Sequence, residues 1–202
     1  MLNNAGLLPT NDTRVEQSNP TTNFRTQDLG LSGSIGSNVN SILSFGNHDT
    51  GLKRFLSEDQ LESAVLTLAC KSPGGNPVFG IKAGAYQNSY DARFANWNSP
   101  DGSGSWSSGG SGSVGVDIDI NDALPHTAEG FVNINVYNAT KAALKGFTAF
   151  YLVLFSSDAD AATYYSLESA DASKRPVLTL SFRDGTSKER LGHATMPTIP
   201  SL

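Results

Sequence analysis

The stretch Glu62-Ser-Ala-Val-Leu-Thr-Leu-Ala-Cys70 carries the clearest structural pattern in the chain. Alternate residues of a β-strand share one face, so one face of this strand would hold Ala64, Leu66, Leu68 and Cys70. The opposite face is nearly as apolar. A strand that is apolar on both faces is typical of a central position in a β-sandwich, and we predict that position here.

Similar runs, separated by turn residues, extend outward from this strand in both directions. They predict further strands over residues 12–16, 28–31, 41–45, 52–56, 77–83, 114–120, 131–137, 149–155, 163–167 and 177–182. Residues 138–146 predict one short helix, with Asn138 as its N-cap and Gly146 at its end. Because strands and helices do not alternate, the sequence predicts an all-β fold: an antiparallel β-sandwich of the jelly-roll type with one short helix.

Composition excludes several classes of protein. The chain has 202 residues and a formal net charge of −5, and a mildly acidic protein is a poor partner for nucleic acid. No apolar run reaches the length of a membrane span, so we expect no membrane insertion. Cys70 is the single cysteine, which excludes an intrachain disulfide, and its place on an apolar strand face predicts a buried thiol.

The order of several short motifs resembles the DNRLRE domain family. They are an opening Asp-x-x-Val strand at Asp12, then Asn19-Pro-Thr-Thr-Asn-Phe24, Gly51-Leu-Lys-Arg-Phe55, Leu61-Glu-Ser-Ala-Val-Leu-Thr-Leu68, Asn96-Trp97-Asn98, the segment 133–144, Tyr165-Ser-Leu-Glu-Ser169 and Lys174-Arg-Pro-Val-Leu178. The resemblance spans residues 12–182. It implies a jelly-roll module of the kind found on microbial surface proteins and polysaccharide-active enzymes, and it loosely implies carbohydrate binding.

The aromatic stretch over residues 86–113 is the candidate ligand site. Sugars stack on aromatic rings while amides and carboxylates take their hydroxyls, so the candidate glycan-binding residues are Tyr86, Tyr90, Asn96, Trp97 and Trp106. An alternative interpretation is that Trp97 plugs one end of the core. Trp106 lies in a Gly/Ser-rich stretch, and we expect it to be the exposed contact.

Two further kinds of chemistry have weaker signals. Hard cations need several oxygen ligands, and the weak candidates for a structural Ca²⁺ site are Asp117, Asp119, Asp158 and Asp160. The alternative is that Asp117 and Asp119 lie on a solvated strand face and that Asp158 and Asp160 are turn residues. No cofactor is otherwise predicted. The three histidines lie far apart and no catalytic motif is present, so the sequence predicts that the protein is not an enzyme.

The two ends of the chain lack a strand pattern. We predict an N-terminal arm over residues 1–11, a jelly-roll domain over 12–182 and an extended C-terminal arm over 183–202. Apolar residues in the arms would dock on copies of the chain or on other virion proteins: Leu7, Leu8, Met196, Ile199 and Leu202.

The start of the sequence shows no secretion signal. A surface-type jelly roll without one suggests a bacteriophage virion surface component, a head decoration or fibre protein assembled in the host cytoplasm. One alternative is an extracellular or cell-surface carbohydrate-binding or adhesion module of a secreted polysaccharide-active protein. Another is a polysaccharide-active enzyme that uses Asp117 or Asp119.

Overall fold

A computed structural model describes most of the chain. The described ranges are residues 2–34, 36–47, 58–73, 82–86, 90–106, 121–122, 130–146, 149–156 and 159–183. The predicted strands at 52–56 and 114–120 lie outside these ranges. Every strand pair within them is antiparallel, and the strands form two open sheets, so the predicted all-β sandwich with one short helix is confirmed.

The first sheet is built around the strand that the sequence places at its centre. Its six strands are β1 (Leu2–Leu7), β3 (Leu29–Leu31), β5 (Leu61–Ser72), β8 (Gly130–Asn135), β10 (Ala162–Tyr164) and β11 (Val177–Arg183). Strand β5 pairs with β11, β10 and β8, which confirms its central position. Strand β1 pairs with β11 at the edge of the sheet, and β3 pairs with β10.

The second sheet packs against the first. Its order is β2 (Asn11–Glu16), β4 (Val39–Asn47), β9 (Ala149–Phe155), β6 (Lys82–Tyr86) and β7 (Asn121–Asp122). Strand β9 is apolar throughout because both of its faces are buried. Phe150, Leu152 and Leu154 point into the core between the sheets, whereas Tyr151 and Val153 point to the outer face of the second sheet.

The main core lies between the two sheets and is closed at one end by helix α1 (Tyr137–Gly146). Ala139, Ala143 and Leu144 of this helix join the core, and the helix contacts strands of both sheets. The predicted N-cap is wrong, because Asn138 lies inside the first turn. Asn135 holds the start of the helix instead: its Oδ1 accepts a hydrogen bond from the Tyr137 backbone N–H at 3.0 Å. In the described ranges, no helix is long and apolar enough to span a bilayer.

A third layer covers the outer face of the second sheet. Residues 90–106 form no helix or strand, yet their side chains pack on this face as a second apolar cluster. The sheet contributes Val15, Ile42, Tyr151 and Val153, and the covering segment contributes Tyr90, Ala92, Ala95, Trp97 and Trp106. We call residues 90–106 the cover segment. Its aromatic residues therefore have a packing role that the strand pattern alone did not indicate.

The N-terminal segment differs from the prediction of an arm without strand structure. Leu2–Leu7 is strand β1, and its register runs from Leu2 opposite Arg183 to Leu7 opposite Leu178. The sequence LNNAGL gives no strand signal, because it shows neither alternation nor β-branched residues. Long-range pairing with β11 makes this segment a strand despite its weak local preference.

Candidate functional site

The aromatic rings of the predicted ligand site are buried. Trp106 is 2% exposed, Trp97 is 4% exposed and Tyr90 is 9% exposed. The expectation that Trp106 is exposed is therefore wrong, as is the placement of Trp97 at one end of the main core. Both indoles pack on the outer face of the second sheet, and a sugar ring has no free indole face on which to stack.

The polar groups of Asn96 and Trp106, two predicted glycan-binding residues, form hydrogen bonds within the cover segment. Asn96 Oδ1 accepts from the backbone N–H groups of Asn98, at 2.9 Å, and Ser99, at 3.0 Å, which closes a tight turn. The Asn96 carbonyl accepts the Trp106 indole N–H at 3.0 Å. Tyr86 ends β6, with its backbone paired opposite Tyr151. The structure thus brings Asn96, Trp97 and Trp106 together, but as one packed unit.

The remaining predicted residues are scattered. Asp117, Asp119, Asp158, Met196, Ile199 and Leu202 lie outside the described residues. Asp160 is partly buried, and no group of three or more His, Cys, Asp or Glu residues within the described ranges could hold a metal ion. Leu7 packs against the main core, whereas Leu8 is 52% exposed. Cys70 is buried, as predicted.

A polar cleft that the sequence does not predict lies where the edge strands β2 and β3 of the two sheets meet. It has a volume of about 260 Å³ and is open to solvent. Its lining comes from β2, from the segment before β3 and from the segment after β10: Arg14, Thr26, Gln27, Asp28, Ser166, Glu168 and Ser169. The lining offers hydroxyl, amide, carboxylate and guanidinium groups, and no aromatic ring.

Arg14 is held firmly at one wall of this cleft. Its Nη1 donates to the Asp28 carbonyl at 2.9 Å and its Nη2 donates to Gln27 Oε1 at 2.8 Å. Its Nε lies 2.7 Å from Glu16 Oε1, and its guanidinium stacks over the Phe24 ring at 4.9 Å. These contacts fix the guanidinium in one orientation, so the wall is preformed.

Asp12 lies beneath the cleft and is fully buried. It occupies the same face of β2 as Arg14, opposite the core residue Leu43 of β4. Its Oδ2 accepts the Leu167 backbone N–H at 2.8 Å. Burial raises the pKa of the Asp12 carboxyl to about 8; the Leu167 N–H opposes this rise, and the adjacent Glu168 carboxyl adds to it. Glu168 thus lines the cleft, and the buried Asp12 carboxyl lies near it without lining the cleft itself.

This carboxyl pair does not have the geometry of a glycoside hydrolase. The two carboxyls of such enzymes flank the scissile bond and stand about 5 Å or more apart. Here the Glu168 carboxyl lies close enough to Asp12 to raise its pKa, and Asp12 has no exposed surface with which to touch a substrate.

Part of this site has a signal in the sequence. Asp12, Arg14 and Glu16 place three charged groups on one face of a strand, which is unusual for a face that points toward a core. No comparable signal joins Asp12 to Glu168, because 156 residues separate them and only the pairing of the sheets brings them together.

Comparisons with known proteins do not assign the chain to a family. No family model matches it, and no curated protein is significantly similar to it. The resemblance to the DNRLRE family therefore stays a prediction, which rests on the order of the motifs.

Proposed function

We propose that this protein is a non-catalytic structural and binding protein that assembles with other protein chains, as a surface component of a bacteriophage particle would. The observation that supports assembly is the open edge of strand β1. Among the described residues, β1 pairs with β11 on one side and with no strand on the other. Unpaired backbone N–H and C=O groups at such an edge are ready to accept a strand from another chain.

The edge strands β1 and β2 differ in the charges that they carry. Edge strands are commonly protected by charged residues, including charges that point inward, and by proline. Strand β2, at the edge of the second sheet, carries Asp12, Arg14 and Glu16 on one face. Strand β1 carries no charge and no proline, and the exposed Leu8 follows it directly. An unprotected edge next to an exposed leucine favours a protein partner at β1.

The test is the oligomeric state of the full chain after β1 is given a charge. Gly6 suits the substitution, because a Cβ built there meets nothing closer than Val177 Cγ1 at 3.7 Å. We expect the unmodified protein to sediment as an oligomer and Gly6→Lys to sediment as a smaller species. Thr22→Lys is the matched control, since Thr22 is exposed and belongs to neither β1 nor its partner β11. A monomer at every concentration of the unmodified protein would remove the support for assembly.

The second candidate function is carbohydrate binding, and the polar cleft favours it. Arg14, Gln27 and Asp28 provide donors and acceptors of the kind that recognise sugar hydroxyls. We expect glycan titrations followed by NMR to shift the backbone signals of residues 26–28. Gln27→Ala should weaken that response, while Thr22→Ala should leave it unchanged. Shifts confined to the cover segment would instead place a glycan at the aromatic residues.

A further inference from the structure

The outer face of the first sheet carries exposed side chains, whereas the cover segment buries the outer face of the second sheet. Four strands are in register across this face. Gly6 of β1 lies opposite Thr179 of β11. Thr179 lies opposite Val65 of β5, which in turn lies opposite Asn135 of β8. Because alternate residues of a strand share a face, the register gives the residues on this face. All of them are uncharged: Asn4, Gly6, Ser63, Val65, Thr67, Ala69, Phe131, Asn133, Asn135, Val177, Thr179 and Ser181.

Phe131 places an aromatic ring on this face. The side chain is 63% exposed, and its neighbour across the strand pair is the small residue Ala69 of β5. A single exposed phenylalanine is ordinary on a protein surface, so the ring alone does not define a site. What the ring could bind depends on the groups that lie beside it on β8.

Two exposed asparagines follow Phe131 on the same face of β8, and each is held by its side-chain oxygen. Asn133 Oδ1 accepts the Thr67 hydroxyl at 2.8 Å, and Asn135 Oδ1 accepts the Tyr137 backbone N–H at 3.0 Å. Among the described residues, neither amide Nδ2 donates to a protein group. Alternate residues of a strand are about 6–7 Å apart, so the ring and the two free donors form a straight, evenly spaced row. We call these three residues the β8 row.

We propose that the β8 row binds an uncharged glycan chain that lies along the strand. The apolar face of one sugar ring would stack on Phe131, and hydroxyl or ring oxygens of the following sugars would accept hydrogen bonds from the Asn133 and Asn135 amides. The Thr67 hydroxyl oxygen lies beside Asn133 and can accept a hydrogen bond from a sugar hydroxyl. This site is separate from the polar cleft, which has no aromatic ring, and it does not depend on the proposed assembly.

The charge and the size of the face favour an uncharged glycan over a charged ligand or a protein. The charged residues at its two ends are already paired, Lys71 with Asp28 and Arg183 with Glu62, so a charged ligand would lose water without gaining a counter-charge. Four strands and seven residues of β5 give a face of about 15 Å by 20 Å, roughly 300 Å². A specific protein interface needs roughly 800 Å² on each partner.

The experiment is a titration of the full chain, followed by NMR and by isothermal titration calorimetry. The uncharged probes are hexasaccharides of glucose, mannose, xylose and galactose, and the charged probe is a hexamer of a uronic acid. We expect at least one uncharged probe to bind and to shift the backbone signals of residues 131–135. The charged probe should bind more weakly than that uncharged probe.

Variants of the β8 row separate the ring from the amides. Phe131→Ala should weaken binding by about tenfold, because the stacking contact is lost, and Phe131→Tyr should retain it. Asn133→Asp should also weaken binding, because a carboxylate still accepts the Thr67 hydroxyl but cannot donate to a sugar. The matched control is Phe94→Ala, which removes an exposed phenylalanine from the cover segment and should leave binding unchanged. Far-UV circular dichroism of each variant reports whether it is folded.

Four results would overturn the proposal. The first is that no uncharged probe binds the unmodified protein, and the second is that binding survives undiminished in both Phe131→Ala and Asn133→Asp. The third is a set of shifts confined to residues 26–28, which would place the glycan in the polar cleft. The fourth is that Phe131→Ala changes the oligomeric state without any glycan response, which would assign the face to a protein partner. A monomeric unmodified protein that binds the probes through residues 131–135 would support this site while it removes the support for assembly.

Discussion

Replacing Trp106 by alanine tests whether the cover segment is part of the folded structure or a ligand platform. The indole is 2% exposed and packs in the cluster on the outer face of the second sheet. Its N–H bond to the Asn96 carbonyl is lost in the variant, and that carbonyl loses its partner. Substitution of a buried tryptophan by alanine costs about 3–5 kcal/mol. Since a domain is stable by only about 5–15 kcal/mol, the loss is large.

The chain offers a favourable assay for this variant. Its only two tryptophans, Trp97 and Trp106, both lie in the cover segment, so tryptophan fluorescence reports on this layer, while far-UV circular dichroism reports on the sheets. In urea titrations of Trp106→Ala, we expect the transition of Trp97 fluorescence to come before the transition of the sheets. The matched control is Phe94→Ala, in the same segment, because Phe94 is 54% exposed. Its free energy of unfolding should change by less than about 0.5 kcal/mol.

One result would refute this reasoning. If Trp106→Ala lowered the free energy of unfolding by less than about 1 kcal/mol, the indole could not be packed as described. A loss of glycan binding in the same variant would then favour the ligand contact that the sequence predicts.

Three further predictions concern polar groups, of which two join layers of the fold and one closes a turn within the cover segment. The Ser41 hydroxyl donates to the Gly30 carbonyl at 2.8 Å and accepts the Gly30 N–H at 3.0 Å. Ser41→Ala should therefore lower the free energy of unfolding, measured in urea, by about 1–3 kcal/mol. A change near zero would contradict this link. Asn23 Nδ2 donates to two carbonyls of the cover segment, both at 2.7 Å. Asn23→Asp should therefore shift the tryptophan fluorescence transition to a lower urea concentration, because a carboxylate cannot donate these bonds. An unchanged transition would count against this role of Asn23. Hydrogen bonds from backbone N–H groups lower the pKa of Asp101 from 3.8 to about 2, so its contribution to the turn is present above pH 3.8 and is lost as pH falls through about 2. An NMR titration should give that midpoint, and an ordinary value would refute it.

The sandwich could be predicted because its central strands carry local patterns. Alternation along Ala64, Leu66 and Leu68 predicted the face of β5 that joins the core, and the structure confirms it. The run over residues 149–155 predicted a strand, and the structure confirms it as β9, which is buried on both faces. Such patterns can be seen in the sequence because a buried strand face carries apolar residues and an exposed face carries polar ones.

The cover segment and the carboxyl pair depend on contacts between distant parts of the chain. Trp106 stands among glycines and serines, and nothing in its neighbourhood indicates that the outer face of the second sheet needs a partner. Asp12 belongs to a charged strand face that the sequence shows, but nothing in the sequence near Asp12 or Glu168 indicates that the two are neighbours. Their meeting depends on how β2 and the segment after β10 are placed by two different sheets. Local polarity carries no information about such placements.

The pairing of β1 with β11 has a consequence for the rate of folding. Leu2 lies opposite Arg183, so the first sheet joins residues that are 181 positions apart in the chain. Closing a loop of that length must come before these two strands gain any contact energy. Proteins dominated by such distant pairings refold in milliseconds to seconds rather than microseconds. During synthesis, β1 is made long before β11, so its backbone groups have no partner strand in that interval. A chaperone that covers β1 until β11 is made would raise the yield of native protein.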